Sequence, residues 1–190
     1  MNESKLGQLA ASIENIAAEA GDAILEVYRQ DIEVITKADE SPLTQADLAS
    51  HRVITAALAE LTPEIPVLSE ESAEIDFAER SSWRDYWLID PLDGTKEFIN
   101  RNGEFTVNIA LISGNEPVLG VVYVPVTGVT YSGVVGEGAR RRESGGEAVP
   151  ISIRLPCADP IVVVGSRSHA NPALAGILET LGPHELVSMG

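Results

Sequence analysis

Two aspartates, Asp90 and Asp93, stand three positions apart in the stretch WLIDPLDGTKEF, Trp87 to Phe98. Carboxylates placed on either side of Pro91-Leu92 have two uses. They can serve local structure, Asp90 capping a turn and Asp93 a short helix, because aspartate, proline and glycine are the commonest turn residues. They can also hold a divalent cation, since magnesium is bound through a few carboxylates plus substrate phosphates. Pro91 fixes its own φ and cannot extend a ladder, so the chain is expected to leave its strand at Asp90. Gly94 permits a close backbone approach, and Thr95 to Phe98 can start a helix whose free N–H groups point back at the loop. Two carboxylates beside such a helix start could hold cations and a phosphate together.

Other acidic positions join the pair. Glu70 and Glu71 follow the apolar run IPVL, and a strand ending there could place one carboxylate beside Asp90. Asp47 falls in the first turn of a helical segment. Thr44-Gln45-Ala46-Asp47 also fits a capping box with Asp in place of the usual Glu, and a helix-start aspartate can cap and face a site at once. No side-chain nucleophile competes: Cys157 has no motif around it and no serine sits in a nucleophile elbow. A spaced-aspartate calcium loop is absent.

These groups need elements to position them. Leu6, Leu9, Ile13, Ile16, Ala20, Ile24 and Val27 recur at spacings of three and four, which predicts a long amphipathic helix from Ser4 to Arg29. IEVIT is a short strand. SPLTQAD opens a second helix with the apolar face Ala46, Ala49, Val53, Ile54, Ala57, Leu58 and Leu61, ended by Thr62-Pro63. IPVLSE, DYWLID, EFTVNIALI, PVLGVVYVPV and VTYSGVV read as strands bounded by turns, an antiparallel meander rather than βαβ alternation. The acidic segment ESAEIDFAER reads as a surface loop or short helix, and GEGARRRESGGEAVP as a solvated hairpin rather than a recognition patch. Beyond it, IVVVG is a strand, NPALAGILETLG a helix with Asn171 as N-cap, Pro172 at its first position and Gly182 as its stop, and HELVSMG another strand. A domain boundary is expected near 155, giving 1–155 and 156–190.

Composition narrows the function. The 190 residues are 44% hydrophobic and 22% charged, with a net charge of −16. That charge argues against nucleic-acid polymers, whose binding depends on neutralising phosphates. It also disfavours an anionic small substrate unless cations intervene, and bound metal would supply them. A single cysteine excludes an internal disulfide framework or cysteine zinc cluster and fits a reducing compartment. No run is long and apolar enough to span a bilayer, and MNESKLGQ lacks the pattern of a secretory signal, so a cytoplasmic location is expected.

TQAD, LSEES and WLIDPLDGTKEF resemble the signature blocks of the magnesium-dependent, lithium-sensitive phosphomonoesterases of the inositol monophosphatase superfamily. Within it, DPLDGTKEFINRNGEFTVNIALI, LGVVYVPV and GSRSH are most similar to the CysQ-type 3'(2'),5'-bisphosphate nucleotidases. The resemblance implies an α+β fold, a layered αβαβα sandwich of the inositol monophosphatase/fructose bisphosphatase type with an incomplete C-terminal α/β portion. It implies hydrolysis of 3'-phosphoadenosine 5'-phosphate to AMP and phosphate with two or three Mg2+ ions. Glu70, Asp90 and the Leu92 carbonyl would hold the first metal, and Asp90 with Asp93 would contribute to the second. Asp47 and Thr95, with Glu70 completing the catalytic group, would orient and deprotonate the attacking water. Gly94 and Thr95 N–H groups would cradle the scissile phosphate.

Further contacts for the nucleotide fall on Lys96, and on Arg167, Ser168 and His169, which follow a strand and precede a helix where α/β sheets usually bind ligands. His169 reads equally as a solvated loop histidine, and Lys96 and Arg101 as surface residues. Family members continue beyond position 190, where a Trp-Asp pair supplies a further carboxylate of the second metal site. The resemblance leaves room for a homodimer and for peripheral association with the inner membrane. Three other readings stand beside it. One is a related hydrolase of inositol monophosphate or another small phosphate ester. The second is an inactive metal-binding or self-associating module. The third, a haloacid-dehalogenase-type phosphatase, fits poorly because its motif spaces the aspartates two apart after a first parallel strand.

Overall fold

A computed structural model describes residues 3–29, 34–36, 42–72, 74–167 and 172–189. Helix α1 (Glu3–Tyr28) and helix α2 (Gln45–Leu61) form where the three-four apolar spacing places them. On α1 the buried stripe is Leu6, Leu9, Ile13, Ile16, Ala20 and Ile24, as the periodicity requires. On α2 the buried line is Ala46, Ser50, Ile54 and Leu58, with Asp47 beside it. The face therefore turns away from the one expected: Leu61 is exposed, Ala49 only half-buried, and two polar side chains are inside. The reason is what lies opposite. The first turns of α2 meet an acidic turn instead of apolar core, as described below.

The short strands β1 (Val34–Thr36) and β2 (Pro42–Thr44) pair antiparallel just ahead of α2. The main sheet has seven strands in sequence order: β3 (Val67–Ser69), β4 (Asp85–Asp93), β5 (Thr106–Ser113), β6 (Glu116–Val124), β7 (Val129–Val134), β8 (Gly138–Arg142) and β9 (Val149–Ile151). All neighbours run antiparallel except β3, which joins the edge parallel to β4. A meander read from turn signals gives the antiparallel part. The parallel edge comes from the crossover through the acidic segment, which holds the four-residue helix α3 (Phe77–Arg80), capped by the Asp76 side chain.

Period-two alternation sends Trp87, Ile89, Val107, Ile109, Leu111, Leu119 and Val121 to the face that packs with α1 and α2 in one core. The Trp87 indole N–H donates to Thr62 Oγ1 at 2.9 Å, so the residue that ends α2 also satisfies the one polar atom of that ring. The opposite face carries Leu88 and Val122, both partly exposed. The arginine hairpin is tied down on both sides: Arg142 pairs with Glu14 of α1 at 2.8 Å, and Arg141 with Glu143 at 2.9 Å while lying over the Tyr131 ring.

The chain divides into two compact units, Met1–Ile151 and Ser152–Gly190. The second holds β10 (Ile161–Ser166), α5 (Pro172–Leu181) and β11 (His184–Met189), a parallel strand pair joined by a helix. Gly182, at φ 80°, ends α5 in the left-handed conformation glycine favours. Asn171, the expected cap of that helix, lies outside the described residues. Among the described residues no helix is long and apolar enough to cross a membrane.

Candidate metal and phosphate site

The ladder between β4 and β5 is regular from Asp85↔Ser113 to Asp90↔Asn108. It is then interrupted and resumes at Asp93↔Thr106, so the strand does not end at Asp90 as expected. Pro91 and Leu92 sit in the irregularity, where no ladder donor is asked of the proline, and pairing closes again beyond them. The bulge turns Asp90 and Asp93 toward one end of the sheet. It also frees the Pro91 carbonyl, which accepts a hydrogen bond from the fully buried Ser50 Oγ at 2.7 Å. Asp93 Oδ2 accepts from Asn108 Nδ2 at 3.2 Å, and Asn108 Oδ1 accepts from Thr106 Oγ1 at 3.0 Å.

Parallel pairing brings the second acidic turn alongside. The register Ser69↔Ile89, extended by the Glu70 N–H donating to the Ile89 carbonyl at 3.3 Å, puts Glu70 level with Asp90 at the carboxyl ends of adjacent strands. Ser69 is buried and its Oγ accepts from the Glu71 N–H at 3.2 Å. His51 Nδ1 lies 2.9 Å from the same oxygen. Burial lowers the His51 pKa, with the Glu71 charge pulling the other way and Arg52 adding to the lowering.

Asp90 is the electrostatic centre. Burial first, then the charges of Asp93 and Glu70 and the smaller effect of Glu71, push its carboxyl up from 3.8 to about 7, against the Leu92 N–H it accepts. Its Oδ1 is buried and has no hydrogen-bond partner. An orphaned buried oxygen is costly, and a cation is the partner its surroundings suit. The available donors, carboxylates plus the Leu92 carbonyl, are the hard oxygen set that magnesium takes. Among the described residues, no three His, Cys, Asp or Glu side chains are gathered closely enough to hold a metal by themselves.

Beyond the bulge the chain makes a sharp turn. Gly94 adopts φ 94° as N-cap of α4 (Thr95–Ile99), and no side chain caps that helix, so Asp93 does not fill the capping role open to it. Thr95 Oγ1 lies 3.5 Å from the Leu92 carbonyl. Beneath the turn, Phe98 and Phe105 are fully buried, with ring centroids 5.2 Å apart, and Tyr28 closes the cluster. A Cβ at Gly94 would stand 3.1 Å from the Glu104 carbonyl oxygen and 3.3 Å from Phe105. Gly94→Ala is therefore expected to cost about 1–3 kcal/mol in a urea melt, the usual penalty for a left-handed non-glycine residue, and to weaken metal and phosphate binding together.

The first unit thus holds Glu70, Asp90, Leu92, Asp93, Gly94 and Thr95 around one sheet end. Asp47 is buried on α2, one turn before Ser50 and on its face. Lys96 is exposed on α4. Arg101 is committed elsewhere: its guanidinium donates to the Tyr28 carbonyl at 2.6 Å and lies over the Tyr28 ring. Arg167 belongs to the second unit, where its backbone N–H donates to the Met189 carbonyl at 2.7 Å and its side chain to the Ser188 carbonyl at 3.2 Å. Ser168 and His169 lie outside the described residues. Sequence reasoning missed Ser50, His51, Ser69 and Asn108. The signal for the first two was their spacing of three and four from Asp47.

Comparison with known proteins gives one answer. The model of the inositol monophosphatase family matches residues 5–184. A protein of Escherichia coli strain K12 named 3'(2'),5'-bisphosphate nucleotidase CysQ is 51% identical over 177 residues, covering 92% of this chain and 70% of that protein. A Buchnera aphidicola protein of the same name is 40% identical over 177 residues, covering 92% of this chain and 65% of its own length. Among solved structures, CysQ from Bacteroides thetaiotaomicron, described as a bacterial member of the inositol monophosphatase family, superposes with TM-score 0.79 at 38% identity. That match covers 96% of this chain and 73% of the other.

Proposed function

This chain belongs to the inositol monophosphatase family, and we propose that it is a metal-dependent phosphatase removing the 3'-phosphate of 3'-phosphoadenosine 5'-phosphate to leave AMP. The observation that carries the metal-dependent chemistry is the buried, unpartnered Asp90 Oδ1 facing a sheet end where Asp93 and Glu70 also lie. The substrate follows the name borne by relatives about half identical to this chain.

Glu70, Asp90, Asp93 and the Leu92 carbonyl are the groups to hold Mg2+. Bound magnesium supplies positive charge that acidifies water and offsets the negative charge growing on the leaving oxygen. Gly94 and Thr95 N–H groups, at the open start of α4, receive the phosphate. Asp47 and Thr95 orient the attacking water and take its proton. No covalent intermediate is needed. The exposed thiol of Cys157 suits a cytoplasmic site of action.

Phosphate release in Mg2+ is the test, with inositol monophosphate as parallel substrate. Preference for the nucleotide, lost on chelation and in Glu70→Gln, is the expected result. Equal turnover of both substrates, a normal Glu70→Gln variant, or silence from folded protein would each overturn the reading. Proton competition gives a second check. Asp90 must shed its proton to bind metal, so Mg2+ affinity should rise with pH up to about 7 and flatten beyond it. Calorimetry in buffers of different ionisation heat should detect proton release on binding at pH 6 and little at pH 8.

A further inference from the structure

Consecutive residues of α2 reach the two acidic turns separately. Ser50 donates to the Pro91 carbonyl, inside the bulge between Asp90 and Asp93, at 2.7 Å. His51 Nδ1 meets Ser69 Oγ at 2.9 Å, and that oxygen also accepts the Glu71 N–H at 3.2 Å, immediately beside Glu70. One hydroxyl can serve both, giving its proton to the imidazole while accepting the amide.

The need for such ties lies in where the ladder stops. Pairing of β3 with β4 runs from Val67↔Trp87 to Ser69↔Ile89, with the Glu70 N–H making one more bond. The carboxylates come after that point, on two segments no longer joined to each other by regular pairing. The charges of Glu70 and Glu71 on one turn and Asp93 on the other repel one another. A helix is stiff, and residues side by side on one of its turns hold two attachment points at a fixed separation.

We propose that Ser50 and His51 are positioning residues for the metal site, pinning the Asp90–Asp93 bulge and the Glu70–Glu71 turn at a set spacing so that a divalent cation meets pre-spaced ligands. The proposal rests on the reading that these carboxylates bind metal. It adds two residues, neither of them a metal ligand, that tune affinity through the turns they hold.

Mn2+ titration of the full chain, followed by the electron paramagnetic resonance of free Mn2+, reads affinity without turnover. Ser50→Ala and His51→Leu should each weaken Mn2+ binding about tenfold or more, the range in which outer-shell partners of metal ligands act. His51→Asn, whose amide can stand near the Nδ1 position, should recover most of that loss. Leu58→Val, in the same helix but in contact with neither turn's hydrogen bonds, should lower the melting temperature while leaving affinity within about twofold. Unchanged affinity in both Ser50→Ala and His51→Leu, or an equal loss in Leu58→Val, would overturn the positioning role while leaving the metal site standing. A wild-type chain that binds no Mn2+ would overturn the metal reading and this role with it.

Discussion

Asp90→Asn should abolish metal-dependent phosphate release and, in the same protein, raise the stability of the metal-free fold at alkaline pH. The first effect follows from position. Asp90 is the carboxylate proposed to contact metal most directly, and its loss should exceed the roughly 100-fold ceiling typical of outer-shell changes. The second follows from linkage. In the folded chain the Asp90 carboxyl titrates at about 7, against an ordinary 3.8. Between about pH 4 and 7 the folded state therefore holds a proton that the unfolded state has released. Stability falls as pH rises through that window, because the native state binds more protons there. Above pH 7 the ionised group weakens the fold, and asparagine relieves it. Urea melts without metal should show the variant gaining over the parent at pH 8 and little difference near pH 4. A gain of equal size at both values would mean that Asp90 is not strained by its neighbours. Saturating Mg2+ should shrink the difference by stabilising the parent alone.

Phe105→Ala is the packing counterpart. Phe105 is fully buried, its ring 5.2 Å from both Phe98 and Tyr28, and it sits against Gly94 at the turn into α4. Truncating it should cost about 3–5 kcal/mol, the range for large aromatic deletions in closed cores. The loss should appear as a lower denaturant midpoint with little change in slope, as expected when stability changes but exposed area does not. Metal affinity should fall as well, since α4 and the Gly94 turn lose their seat. Phe77 provides the contrast: it is 71% exposed, so Phe77→Ala should stay within about 0.5 kcal/mol of the parent. Similar losses from both would contradict the burial difference.

Local features of this protein were open to reading in one dimension. The α1 stripe follows from three-four spacing, and α5 ends at Gly182 because a left-handed stop suits glycine. Asp90, Asp93, Gly94 and Thr95 could be assigned chemistry because six contiguous residues carry carboxylates, bulge, turn and helix start together. Their proximity owes little to the rest of the fold.

Long-range placement could not be read that way. That Pro91 interrupts β4 without ending it depends on β5 offering Thr106 to resume the ladder. That Glu70 lies level with Asp90 depends on a parallel register no local pattern reports. Ser50 and His51 looked like ordinary polar helix positions, and only packing across separations of 41 and 18 residues gave them Pro91 and Ser69 as partners. The raised Asp90 pKa is largely a property of assembly, arising from burial first, then from Asp93 in the same stretch and from Glu70 and Glu71 on a second chain segment. Sequence by itself determined which groups could do the chemistry, because backbone preference and side-chain type act over a few residues. Tertiary structure alone decided how far apart those groups stand and in what charge state, because burial and Coulomb interaction depend on distances between segments that the chain's order does not contain.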